Sequence, residues 1–453
     1  MALAERLGGF AAGWRFADLP DAVVEDAGLR ILDTLGVAIA AAALPIGRAV
    51  RAGAAALGRG GEARLVGGGR STASLAALVN GTLAHALDFD DTHNQSVMHP
   101  SAPAVAAALA MTEAVGGSGQ DLLLATALGI ELNCRLGMVA PGAFHEAGQH
   151  PTSVLGTPAA AIAAGRLLGL APRALACAAG IAGSQASGIL EAYADGTWSK
   201  TLHPGWAAHA GITAARLAQA GFTGPASVFE GRYGIFRSHL PAATSFDFDA
   251  LTRGLGTRWE MLDTAFKLYP CAHSIHAFIE AALALRVPVD EIARVRLDVP
   301  AAFVGQIAEP RAAKLAPRTT THARASLFYA VAAALVDGAV GMEHYTDAAI
   351  VRPDLLALAG RMTHVVVPGD GGPIRFGGAV TITTTDGRIL HHAVDEADGT
   401  GARRLSRAAV EGKFHAITAG AMRPAAARRL VDDIGRLHEG GTVARLLAGT
   451  APP

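Results

Sequence analysis

AVTITTTDGRILHHAV, residues 379–394, alternates apolar and polar side chains on both sides of Asp386-Gly387. Alternation with period two, interrupted by Asp-Gly, predicts two antiparallel strands joined by a tight turn. This hairpin decides the fold because it stands in a chain that otherwise reads as helical. From residue 20 to about 240, alanine-rich apolar segments of helix length are separated by punctuation such as GGSGQD, LGLAPRA and GFTGPAS. Outward from the hairpin, ARVRLDVP (293–300) and THVVVP (363–368) also alternate as strands, and HARASLFYAVAAALVDG (322–338) between them has a helix composition. Ser118 and Asp121 form a capping-box start for DLLLATALGIELNCRLG, which closes near Gly137, and Ser406 is placed to cap RAAVEGKFHAITAG. The expected class is mainly α with an α+β part. A large all-helical domain is built from both chain ends, 1–262 and 394–453, and a smaller α+β lid domain covers 263–393.

Composition narrows the functional classes. The chain has 453 residues, 51% hydrophobic and 17% charged, which is enough apolar material for a large core. Its formal net charge is −1 and it has no long Lys/Arg run, so no nucleic-acid partner is expected. Three dispersed cysteines, Cys134, Cys177 and Cys271, argue against a disulfide framework and for a reducing, cytoplasmic setting. The first residues, MALAERLGGFAAGWRFADLP, lack the basic start and apolar core of a secretory signal. The longest apolar runs are shorter than a bilayer span and end in Pro or Gly, so no membrane insertion is expected either.

Polar residues gather in a few places. LDFDDTHNQSVMHPSAP (87–103) holds three carboxylates and two histidines. Asp88 and Thr92 are four apart and share a face if the preceding helix continues through them, with Asp91 alongside and His99 on a loop held out of helix by Pro100 and Pro103. The same carboxylates also fit helix caps or surface positions, and Asp-rich stretches sometimes hold magnesium. No HExxH, CxxC or calcium-loop pattern is present, so no metal is expected. His145 and His150 precede a small-residue turn, and Lys200 and His203 lie in a glycine-flanked connection. Lys267, Cys271, His273 and His276 open the α+β part, with Cys271 read as small and buried. Tyr329 falls on the apolar helix, where core packing alone would account for it.

In this order, HALDFDDTHNQSVMHPSAP, HPTSVLGTPAAAIAAGRLLGL, GTWSKTLHPGWAAHAG, KLYPCAHSIHAFIEA, ARASLFYAVAAALVDG and LSRAAVEGKF resemble the MmgE/PrpD family. That family includes 2-methylcitrate dehydratases, cis-aconitate decarboxylases and an iminodisuccinate epimerase. The resemblance implies a homodimer without metal or organic cofactor, and an active site between lid and helical domain. It implies a pocket of Asp88, Thr92, His99, His150, Lys200, Lys267, His273 and Tyr329. Lys200 and Lys267 would anchor carboxylates, His99 would transfer a proton, and Asp88 would orient a histidine. His150, His273, Thr92 and Tyr329 would bind substrate or share the proton work. The expected function is that of a metal-independent lyase on a small di- or tricarboxylate, cis-aconitate decarboxylase-like or 2-methylcitrate dehydratase-like. The alternatives are an epimerase of a dicarboxylate such as iminodisuccinate, or a non-catalytic helical scaffold.

Overall fold

The computed structural model describes residues 1–369 and 374–450 and divides into two compact units. Met1–Leu190, Trp198–Thr264 and the chain from Ser406 onward make the first unit, while Glu191–Thr197 and Ala265–Leu405 make the second. The seven residues from Glu191 lie outside any contiguous α+β segment, and hydrogen bonds explain where they belong. Thr319 donates to the Gly196 carbonyl (3.3 Å) and Gln306 donates to the Tyr193 hydroxyl (3.4 Å). The stretch after the hairpin also stays with the second unit, through the Asp398 amide on Glu280 (2.7 Å) and the Phe266 amide on the Gly399 carbonyl (3.2 Å).

The first unit includes helices α1 (Asp21–Ala42), α2 (Ala73–His85), α3 (Ser101–Val115), α4 (Gly119–Gly137), α5 (Gly156–Leu167) and α6 (Ser199–Gln219), with further helices such as Pro45–Leu57 and Pro172–Gly183 between them. Ser118 and Asp121 form the capping box at the start of α4, as their spacing predicts. The core between these helices is largely alanine, including Ala76, Ala77, Ala107, Ala160, Ala161, Ala208 and Ala215. Small side chains bring helix axes close together, and the closest approach is between α2 and α6. A Cβ on Gly205 would lie 2.1 Å from the Leu78 carbonyl oxygen, and one on Gly81 would lie 2.7 Å from the Gly205 Cα. Two glycines therefore set the separation of these helices. Among the described residues no single helix is long and apolar enough to cross a membrane.

The second unit contains α7 (His276–Leu285) and α8 (Leu327–Asp337) with a four-stranded sheet. Its strands are β1 (Ile292–Pro300), β2 (Met362–Val367), β3 (Gly378–Thr384) and β4 (Ile389–Val394), in the order β2-β1-β3-β4. β1 pairs parallel with β2, and the other two pairings are antiparallel. The β3–β4 hairpin turns at Asp386-Gly387, where Gly387 has φ +90°. Ile292, Val295, Leu297 and Val299 of β1 are buried, and α7 lies against β3 and β4. The helix expected over 322–338 is interrupted after Arg324. A new helix starts at Leu327, where the Ser326 hydroxyl accepts from the Tyr329 amide (3.2 Å) and so draws the chain out of the preceding turn. The first unit then resumes with α9 (Arg407–Thr418), capped by Ser406 and packed on α1.

Replacing a helical glycine by alanine ordinarily favours the helix by about 1 kcal/mol. Gly205→Ala should do the reverse and destabilise by about 1–3 kcal/mol, because its methyl group has no room against α2. Gly53→Ala, at an exposed position of the helix Pro45–Leu57 with nothing within 4 Å, is the control and should be neutral or stabilising. Urea midpoints of the two variants check the contrast. Equal shifts of one sign would mean that the α2–α6 contact yields freely.

Candidate active site

The close approach of α2 and α6 places the C-terminal end of one against the N-terminal end of the other. His85, the last residue of α2, and Lys200, in the first turn of α6, meet there, with the Lys200 ammonium donating to His85 Nε2 at 2.8 Å. The other ring nitrogen, Nδ1, faces both oxygens of the buried Asp90 carboxylate at 2.8 and 3.0 Å. A carboxylate only accepts, so Nδ1 carries the hydrogen and Nε2 is left as acceptor for the lysine. Lys200 Nζ also lies 3.7 Å from Asp88 Oδ2. Carboxylate, imidazole, ammonium and second carboxylate thus form one chain.

The segment bearing Asp88 to His99 is not a continuation of α2. Asp88 has φ +49°, a left-handed conformation that ends any helix, and Thr92–His93 is extended. Asp88 and Thr92 therefore do not share a helical face, contrary to the spacing argument. A tight loop follows in which His93 and Met98 pair their backbones (2.8 and 3.4 Å) and Val97 takes φ +54°. For a β-branched residue that conformation stores on the order of 1–3 kcal/mol, a strain that surrounding contacts must hold in place.

Those contacts come from both ends of the chain. Arg30 of α1, fully buried, binds Asp26 (3.2 Å), Asp91 (3.2 Å) and the Thr264 carbonyl (2.5 Å). The Asp91 carboxylate also accepts from the Ser101 hydroxyl and amide, and its backbone carbonyl accepts from His99 Nδ1 at 2.7 Å. Burial raises the Asp91 carboxyl to about 6, with Arg30 opposing the shift. Lys413 of α9 donates to the Phe89 carbonyl (2.8 Å), pairs with Asp33 (2.7 Å) and sits 4.0 Å from the centre of the Phe89 ring.

His99 is held as firmly as the backbone beneath it. Its amide donates to Thr152 Oγ1 (3.0 Å), and Nδ1 is 3.4 Å from Thr92 Oγ1 and 3.6 Å from Asp90 Oδ2. With Nδ1 donating to a carbonyl, Nε2 is the atom that takes up or delivers a proton. His150, at the start of the short helix Pro151–Val154, hydrogen-bonds His203 through their Nδ1 atoms (2.9 Å). Its Nε2 is buried and has no hydrogen-bond partner among the described residues. The rings of His85, His99 and His150 lie 4.8 to 6.2 Å apart. Burial, reinforced by the nearby Lys200 charge, pushes His150 well below the ordinary histidine range. Burial likewise lowers His85 despite Asp90, and takes His203 to about 3 and His145 to about 4. These four rings are neutral at pH 7.

Of the expected site residues, Asp88, Thr92, His99, His150 and Lys200 come together in the first unit. Lys267, His273 and Tyr329 belong to the second. There Lys267 and His273 are buried, with the His273 ring 4.7 Å from His276 and 5.3 Å from Phe376. The Tyr329 hydroxyl donates to the His344 carbonyl (2.5 Å), and burial raises it to about 12. Cys271 is buried and small, as read from sequence. Sequence reasoning does not assign His85, Asp90 and His203 to the site. A histidine followed five residues later by an aspartate is the available signal for the first two.

With this geometry the comparisons with known proteins are specific. Residues 5–246 match the MmgE/PrpD N-terminal domain and residues 269–434 the MmgE/PrpD C-terminal domain. The chain is similar to the cis-aconitate decarboxylase of Homo sapiens, 31% identical over 405 residues that cover 83% of this chain and 80% of that protein. It is similar to the cis-aconitate decarboxylase of Aspergillus terreus at 27% over 409 residues (84% and 82%), and to that of Mus musculus at 30% over 360 residues (75% and 71%). Two successive domain matches and relatives aligned over most of their length place the chain in the MmgE/PrpD family.

Proposed function

We propose that the chain is a lyase acting on a small di- or tricarboxylate, with decarboxylation of the cis-aconitate type as the favoured reaction. The observation that carries this reading is the line Asp90, His85, Lys200, Asp88 beside His99. Lys200 is a compact cation whose direction is set by a neutral imidazole, and that imidazole is itself oriented by a buried carboxylate. Such a lysine attracts a carboxylate of the substrate as a point charge. Its position is determined before substrate arrives, so little reorganisation is needed as charge moves in the transition state.

Decarboxylation breaks the bond between a carboxyl carbon and its neighbour. The electron pair passes into the adjacent conjugated system, carbon dioxide leaves, and one proton must reach carbon. In the proposed assignment His99 enters this step as imidazolium, delivers the proton from Nε2 and is left neutral, to be reprotonated from solvent, while the Asp91 carbonyl holds its Nδ1–H throughout. His150 Nε2, buried without a protein partner among the described residues, would hydrogen-bond a substrate oxygen. No metal is needed in this scheme because Lys200 provides the positive charge, and turnover should persist in EDTA. Loss of water from a hydroxy acid uses the same groups. The relatives named as decarboxylases favour the first reaction over the second, and over epimerisation or a scaffold role.

The direct test is incubation with cis-aconitate, citrate, 2-methylcitrate and iminodisuccinate, followed by identification of products by mass and, for iminodisuccinate, by chiral separation. Release of carbon dioxide from cis-aconitate is expected. No turnover of any of the four would overturn the reading.

His99→Gln should reduce kcat by roughly 10²-fold or more while leaving thermal stability close to that of the parent. A folded variant with near-normal turnover removes His99 from proton transfer.

Lys200→Met should lower kcat/KM at least about 10-fold, corresponding to roughly 1.4 kcal/mol. A substrate monoester, which has one fewer negative charge, should lose less than the parent acid. Equal losses for acid and ester would show that Lys200 does not pair with a carboxylate.

A further inference from the structure

His85, His99 and His150 each offer a ring nitrogen within 4.8 Å of the other two, and they come from the end of α2, the loop before α3 and the turn before Pro151. Ligands on one zinc ion at about 2.0–2.1 Å stand roughly 3.4 Å apart, so side-chain rotations of modest size bring the three nitrogens onto a common centre. His150 Nε2 is buried with no hydrogen-bond partner among the described residues, so its lone pair is available to a metal ion. Asp88 and Asp90 lie within the same reach of His99. One group stands in the way. The Lys200 ammonium, 2.8 Å from His85 Nε2 and 3.7 Å from Asp88, already takes the imidazole lone pair and the carboxylate that a metal ion would need there.

We propose that His85, His99 and His150 form a site for a borderline-soft divalent metal ion such as Zn²⁺, and that Lys200 keeps it closed. Zn²⁺ enters only by displacing the ammonium from His85, so in the wild-type protein it binds weakly and acts as a reversible inhibitor rather than a cofactor. Removing the ammonium also releases Asp88 from its pairing with Lys200 and adds a carboxylate to balance the charge of the ion. Mg²⁺, which demands oxygen ligands in octahedral array, is not accepted by three imidazoles. Asp88 and His99 retain 14% side-chain exposure and give solvent ions an approach.

The test uses the full-length chain stripped with EDTA, with Zn²⁺ alone as titrant and competition against a chromophoric chelator as readout. Lys200→Met should bind one Zn²⁺ at least about 10-fold more tightly than wild type. Adding His150→Phe to that variant should abolish the gain. Co²⁺ in place of Zn²⁺ should give the intense visible bands of a four-coordinate site, three imidazoles and one oxygen, in Lys200→Met and lose them in the double variant. Wild-type protein, whose folding is not in question, supplies an independent measurement: Zn²⁺ alone should inhibit turnover reversibly, with EDTA restoring it and Mg²⁺ at equal concentration having no effect. Zinc binding no tighter in Lys200→Met than in wild type, or binding that survives His150→Phe, overturns the proposal. Neither result bears on whether turnover persists in EDTA, so the lyase assignment stands or falls separately.

Discussion

The contact of Gly81 with Gly205 governs the site. Any side chain at either position would hold α2 and α6 farther apart, and the distance between His85 and Lys200 is inherited directly from that crossing. Hydrogen bonds weaken gradually as they lengthen, whereas backbone packing is fixed by hard repulsion. The chemistry is therefore adjusted by the stiffer of the two interactions. The alanine-rich core serves the same end, since short side chains leave little freedom for one helix to slide past another.

On this frame the loop from Asp88 to His99 is held under tension. Left-handed backbone at Asp88 and Val97 is disfavoured locally, so neither conformation would persist in an isolated peptide. Arg30 from beneath and Lys413 from the last part of the chain bind carboxylate and carbonyl groups of this segment and hold its shape. Desolvating those charges is costly, and an apolar substitute for them would pack as well. Their value is directional, because they determine where Asp88, Asp90 and the Asp91 carbonyl point.

What could be read from the sequence was what depends on neighbouring residues. The Asp386-Gly387 hairpin, the Ser118 capping box and the Ser406 cap are each decided within a few positions, and each is found where its local chemistry puts it. The end of α2 was not legible, since hydrophobic spacing is silent about the left-handed turn at Asp88. Nor was the pairing of His85 with Lys200, which are 115 positions apart and meet only because two glycines permit it. Five of the eight site residues expected from the resemblance cluster in one unit, and the partners His85 and Asp90, which orient Lys200, became visible only in three dimensions. The assignment of Glu191–Thr197 to the second unit also rests on long-range bonds that no local pattern announces.

Lys413 has a consequence for how the protein is made. The loop it braces is translated early, whereas Lys413 leaves the ribosome only after the whole second unit has been produced. A nascent chain halted between Lys200 and α9 holds His85, Asp88 and Lys200 but lacks the group that secures the Phe89 carbonyl and pairs with Asp33. Domains ordinarily fold in the order in which they emerge. Here the first unit must wait, partly formed, until its last helices arrive. Vectorial synthesis thereby leaves the loop from Asp88 to His99 without its Lys413 brace until α9 has been made.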